Sequence, residues 1–215
     1  MKKIVLIGAG GHCKVIIDII KSTNEFEIIG VTEKKFSEDK ILDIPIIGDD
    51  CILERLYSSG VRYAFVCVGG LGNLQLRNKI YMKLKKIGFK IPKLIHKNAI
   101  VSKYVDIEEG TCIMAGAVVN PGVHIGKNCI INTSAVVEHD CSIGDNSHIA
   151  PRAVLSGATK IGRNTHIGLG SSIIQCVNIG KNVTIGAGAI VINNIEDNTL
   201  AVGVPARVIR VKDNM

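Results

Sequence analysis

Within eleven residues, Glu138 to His148, the chain places Glu138, His139, Asp140 and His148. An imidazole titrates near neutral pH. A carboxylate beside it orients one ring nitrogen and stabilises the charged ring, which makes the other nitrogen a better general base. Such a pair suits removal of a proton from an amine or hydroxyl as that group acts as a nucleophile. No Ser or Cys stands with His139 in a recognisable nucleophile motif, which favours direct attack over a covalent acyl-enzyme. The plain alternative is a surface histidine with no reactive role. A second candidate is GAGGHCK (8–14), which follows an aliphatic run and opens a helical pattern. Backbone N–H groups and a helix N-terminus at such a place can hold a phosphate, and His12 adds a donor. The third glycine of the dinucleotide pattern is Cys13 here, so a tight turn in a capping domain is the competing reading.

The elements that position these residues differ between the two halves. From Ile95 to Val191 an aliphatic residue recurs at every sixth position, seventeen in all with none polar. Four residues after most of them comes a small residue such as Ala117, Cys129, Ala135, Ser147 or Ala153, and glycine often follows the aliphatic directly, as in IGKN, IGDN and IGRN. A fixed short period of this kind means a solenoid. If each hexapeptide makes one short strand and one turn, three close a triangular coil and residue n stacks on n+18, at the strand spacing of about 4.8 Å. Aliphatics fill the prism. Val137 and Cys141 then point inward and leave Glu138, His139 and Asp140 outside. His124, His148 and His166 share the last hexapeptide position and should also face outward.

Residues 1–94 alternate strand-like and helix-like runs: IVLIG, FEIIGV, RYAFVCVG and FKIPKLI as strands, HCKVIIDIIKS and LQLRNKIYMKLKKIG as amphipathic helices. This alternation predicts a small parallel α/β sheet. The domains read as 1–94 Rossmann-like α/β, 95–196 β-helix, and 197–215 a capping tail. A length of 215 residues accommodates both cores.

The formal charge of +7 comes mostly from residues 1–94, with 16 Lys/Arg against 10 Asp/Glu. That excess attracts phosphates, but with so few aromatics it does not indicate nucleic acid. Seven cysteines form no CxxC pair, as expected for reduced thiols in a cytoplasmic protein. The start MKKIVLIGAG stops at a glycine loop with no small-residue cleavage site, and no segment approaches the ~18 apolar residues of a membrane span.

Taken together, GAGGHxK (8–14), Glu33, CVGG…LRNKI (67–80), LIHKNAIVS (94–102), SAVVEHDCSIGDNSHIAP (134–151) and GVPARVI (203–209) resemble the bacterial sugar acetyltransferases of the NeuD/PglD type. These are hexapeptide-repeat enzymes with a left-handed parallel β-helix. The resemblance implies a homotrimer with active sites between subunits and acetyl-CoA as co-substrate, with no metal. The implied acceptor is a nucleotide-linked amino sugar of surface glycan biosynthesis, or alternatively sialic acid, which is O-acetylated. It makes His139 the general base and Asp140 the acid that raises its basicity, where relatives carry Glu; Glu138 is the substitute. It places His148 on acetyl-CoA, Leu169 and Ala187 on the pantetheine chain, and Gly10, Gly11, His12, Glu33, Lys34 and Gly69 on the nucleotide sugar. A zinc β-helix hydratase is disfavoured, since no two histidines are five residues apart. A non-catalytic nucleotide-sugar-binding trimer is the alternative outside enzymes.

Overall fold

The structure, a computed structural model, describes residues 1–34, 38–70 and 74–212. Part of the 67–80 motif and the last three residues of the tail lie outside them. The chain divides into two units, Met1–Lys97 and the remainder from Asn98.

In the first unit, aliphatic runs form β1 (Lys2–Ile7), β2 (Phe26–Thr32) and, after the small hairpin β3 (Lys40–Ile41) and β4 (Ile44–Pro45), β5 (Tyr63–Val66). The parallel order is β2–β1–β5, with Ile4, Val5 and Leu6 of the central strand fully buried. Helix α1 (Gly11–Thr23) buries Cys13, Ile16, Ile17, Ile19 and Ile20 and ends at Asn24, whose left-handed conformation lets its N–H reach Ile20 O. After the short helix α2 (Leu53–Ser58), α3 (Leu74–Ile87) buries Leu74, Arg77, Tyr81 and Leu84.

The expected strand over 89–95 is corrected. It is a single bridge from Lys90 to Tyr63 plus a two-residue strand, Leu94–Ile95. Pro92 between them has no N–H for a ladder. The β3–β4 hairpin and α2 were not anticipated, because both are too short to show a period.

In the second unit, two-residue strands recur every six residues and stack in parallel on three walls. The first wall runs through Val118–Val119, Val136–Val137 and Val154–Leu155, the second through His124–Ile125 and Ser142–Ile143, the third through Ile130–Ile131 and His148–Ile149. The predicted offset of eighteen is seen in Val118↔Val136, His124↔Ser142 and Ile130↔His148. It shortens at the end, where Thr184 pairs with Leu200, sixteen residues on.

The aliphatic column is buried from Ile107 to Val191, while Ile95 and Val101 are only half-buried. Each buried aliphatic contributes about 2 kcal/mol. Every sixth residue from Gly110 to Gly188 turns the corner with a left-handed φ, for example 55° at Asn128 and 60° at Asp140. The coils stack so closely that a Cβ on Gly162 would lie 2.5 Å from Lys181 N, which explains the glycine after the aliphatic. Asn128, Asn146 and Asn164 bond in an amide ladder at 2.9 and 2.8 Å. The tail adds Thr199–Val202 beside Thr184–Ile185 and doubles back as the exposed strand Arg207–Val211.

Candidate active site

His139 and Asp140 leave the first wall directly after Val136–Val137, at the corner leading to the second. Both are exposed, at 62% and 68% of their side chains, and His139 Nδ1 lies 2.8 Å from Asp140 Oδ2. Nδ1–H therefore donates to the carboxylate, which leaves the Nε2 lone pair free to accept a proton. This hydrogen bond, aided by the negative charges of Asp140 and Glu138, lifts the His139 pKa above its ordinary value. Asp140, not Glu138, is the carboxylate in hydrogen-bond contact with the ring.

Two glycines seat this pair, and neither was singled out from sequence. A Cβ on Gly157 would lie 2.7 Å from both Cε1 and Nε2 of His139, and one on Gly122 would lie 2.5 Å from Asp140 Oδ1. The signal was present in the period: Gly157 is eighteen residues after His139, and Gly122 eighteen before Asp140.

His148 departs from expectation. By register it stands on the outer side of the third wall, but it is covered, with only 3% of the residue exposed. The repeat assigns inside and outside of the prism and says nothing of what lies over a wall. Asn132, also missed, fixes its tautomer. Asn132 Oδ1 accepts the Thr133 N–H at 2.8 Å, so Nδ2 is the donor toward His148 Nε2 at 2.9 Å and the ring proton belongs on Nδ1. The His166 ring packs edge-on at 4.9 Å; burial, with Lys212 nearby, holds its pKa below the ordinary value. His124 is half-exposed between Asp106 at 3.0 Å and Glu108 at 3.6 Å.

Leu169 and Ala187 stack in adjacent coils at the corner between third and first walls, where Gly188 N–H bonds Leu169 O at 2.8 Å. Leu169 is 53% exposed and Ala187 is also exposed. This corner and that of His139 bound the two edges of the first wall. Its outward column is apolar except for the exposed Ser172, with Ile100 68%, Val154 38% and Ile190 38% exposed and Val118 and Val136 half-buried. The second wall presents Asp106, His124, Ser142, Lys160 and Asn178 instead.

In the first unit a cleft of about 540 Å³ is lined by Gly8, Gly10, Gly11, His12, Glu33, Cys67, Val68 and Gly69. It gathers five of the six residues expected on a nucleotide sugar. Lys34 is exposed beside it and gives its backbone N–H to Glu33 Oε1 at 2.8 Å. The other oxygen, Oε2, accepts the Ala9 N–H at 2.8 Å, tying the end of β2 to the glycine loop. Gly10 caps α1 with no side-chain bond, and no acidic residue stands in the helix's own first turn, so among the described residues the one carboxylate at this end of the cleft is Glu33. Gly8 has φ +99°, and a Cβ there would meet Val68 Cγ2 at 3.0 Å. No group of three metal-ligating side chains occurs among the described residues.

Residues 3–84 match the PglD N-terminal domain, and residues 122–157 the bacterial transferase hexapeptide (six repeats). The chain is 35% identical to PerB from Caulobacter crescentus, solved with CoA and GDP-perosamine, over 98% of each chain with TM-score 0.91. It is 36% identical to the acetyltransferase domain of PglB from Neisseria gonorrhoeae FA1090, solved with acetyl coenzyme A, over 97% of this chain and 99% of that one with TM-score 0.90. A curated relative, UDP-N-acetylbacillosamine N-acetyltransferase of Bacillus subtilis (strain 168), is 38% identical over 115 residues, 54% of this chain and 52% of that protein. The chain thus spans about half the length of that curated relative. Full-length agreement in fold and sequence assigns the chain to the NeuD/PglD-type bacterial sugar acetyltransferases, acyltransferases that join an α/β domain to a left-handed parallel β-helix of hexapeptide repeats.

Proposed function

We propose that this chain transfers acetyl from acetyl-CoA to the amino group of a nucleotide-linked amino sugar, as a cytoplasmic homotrimer. The observation that carries this reading is the His139–Asp140 pair at 2.8 Å on an exposed corner. His139 Nε2 takes a proton from the amine as its nitrogen bonds to the thioester carbonyl carbon. The C–S bond then breaks, CoA leaves as thiolate, and the imidazolium returns the proton to sulfur. Asp140 stabilises the imidazolium that forms between these steps.

The apolar first wall supports the trimer. Packed about a threefold axis on these walls, one subunit's His139 corner meets the next subunit's Leu169–Ala187 corner. The base then comes beside the place proposed for pantetheine, with His148 on the same coenzyme. Gly10, Gly11, His12, Glu33 and Gly69, with Lys34 at the rim, are proposed to bind the nucleotide sugar. The phosphate-type loop favours a nucleotide-linked amine over sialic acid.

The test is release of free CoA thiol with UDP-, dTDP- and GDP-linked 4-amino sugars and with sialic acid. Turnover with a nucleotide amine is expected. Turnover with sialic acid alone establishes the O-acetylating alternative, and none across the panel a non-catalytic binder. His139→Ala should lower kcat by about 10²–10⁴ with acetyl-CoA affinity nearly intact; a variant retaining most of its activity removes His139 as the base.

A further inference from the structure

Arg77 is fully buried, yet it lies on the α3 face that otherwise buries Leu74, Tyr81 and Leu84. A leucine at such a position would be ordinary core packing. Removing a guanidinium from water costs several kcal/mol unless donors and acceptors are matched around it. Here one nitrogen, Nη1, donates to both Val66 O and Val68 O at 2.9 Å each, and the guanidinium carbon stands 6.0 Å from the Phe65 ring centroid.

These two carbonyls flank Cys67, and the run Cys67–Val68–Gly69 is one wall of the cleft. On its inner edge the segment is held by Cys67 N–H on Ile7 O at 2.7 Å. Lower on the outer edge of β5, Ala64 N–H bonds Lys90 O at 3.2 Å. At the level of the cleft Arg77 takes over that edge, and its two bonds continue the strand's course past its last residue. The segment is thereby delivered against the glycine loop: a Cβ on Gly69 would sit 3.6 Å from His12 Cβ.

We infer that Arg77 is a positioning residue for acceptor binding. Its buried guanidinium holds the Cys67–Gly69 wall at the distance from His12 that a nucleoside diphosphate requires. The inference rests on the proposed reading of the cleft as the nucleotide-sugar site.

The test is calorimetric titration of the native protein with UDP, dTDP and GDP, followed by Arg77→Met with the tightest of them. Acetyl-CoA binding, proposed for the other unit, and the melting temperature report folding. The Met variant should bind the nucleotide about tenfold or more weakly, because two carbonyls lose their donor, with acetyl-CoA affinity unchanged. In turnover, the loss should fall on the acceptor KM and not on kcat. Arg77→Lys is the second variant where Met unfolds the unit: it keeps a buried cation and donors, and should recover part of the affinity. If a folded variant binds the nucleotide within about twofold of native, Arg77 is only a core residue and the inference fails alone. If the native chain binds none of the three, the reading of the cleft fails and the inference with it.

Discussion

Gly157→Ala tests whether His139 acts from where the structure seats it. The added Cβ would lie 2.7 Å from Cε1 and Nε2 of the ring. Ordinary contact begins near 3.4 Å, so the ring must retreat by about 0.7 Å or rotate off Asp140. The imidazole is 62% exposed and has room to move, and Gly157 does not need a left-handed φ, so the fold should absorb the change. A displacement approaching 1 Å at a reacting group costs up to about 10²-fold in rate. We therefore expect kcat to fall by about 10- to 100-fold, with acetyl-CoA KM and melting temperature close to native. In a His139→Ala background the same substitution should add almost nothing, because both act through one ring. A Gly157→Ala enzyme within about twofold of native kcat, or losses that multiply in the double variant, would refute the seating of the base at this corner.

Asp140→Asn removes the charge that holds the His139 pKa up. The proposed base acts in its neutral form, so kcat/KM is expected to rise with pH through that pKa; the rising limb should move to lower pH, toward about 6.5, with a reduced plateau. An unmoved limb in the pH–rate profile would show that Asp140 does not tune the base. Val154→Glu, on the largely apolar outer column of the first wall, should convert the proposed trimer to monomers in sedimentation and abolish turnover, since in that assembly neither corner alone is proposed to hold both substrates. A trimeric, active Val154→Glu enzyme rules out that wall as the interface. Burial, with Lys212 nearby, pushes the His166 pKa below its ordinary value. Its folded pKa lies below its unfolded one, so stability is lost as pH falls through about 6.5. The melting temperature should drop between about pH 7.5 and pH 5.5, and His166→Thr should flatten that drop.

The prism was legible because its interior tolerates one residue class at a fixed interval: from Ile107 to Val191 the aliphatic at each sixth position is buried. The same interval located the corners, and with them His139 and Asp140. It told which residues stack but not how closely, so Gly122 and Gly157 were not singled out although each lies eighteen positions from a member of the pair. Nor did it foresee that His148 is covered, since period separates inward from outward but not outward from solvent. In the first unit, β1, α1, β2 and α3 followed from runs long enough to show a face. The 89–95 run is equally apolar but contains Pro92, and only Lys90 in it bridges to β5. Arg77 was hidden by its charge: a basic residue in LQLRNKI reads as helix surface, and only the fold shows it turned onto two carbonyls.

Adjacent side chains on a strand point to opposite faces, so a histidine and the acid next to it do not ordinarily meet. They do here because Asp140 occupies the corner position, with φ 60°, where the backbone reverses and brings Oδ2 to 2.8 Å from His139 Nδ1. Equivalent corners are filled mostly by Gly and Asn, and Asp shares the tolerance of Asn for this conformation. One residue thus satisfies the turn and supplies the carboxylate, and its short side chain reaches the ring without the extra methylene of Glu. Asn at 140 keeps the backbone preference while deleting the charge, which is why Asp140→Asn separates the electrostatic role of this corner from its architectural one, where Ala would confound them.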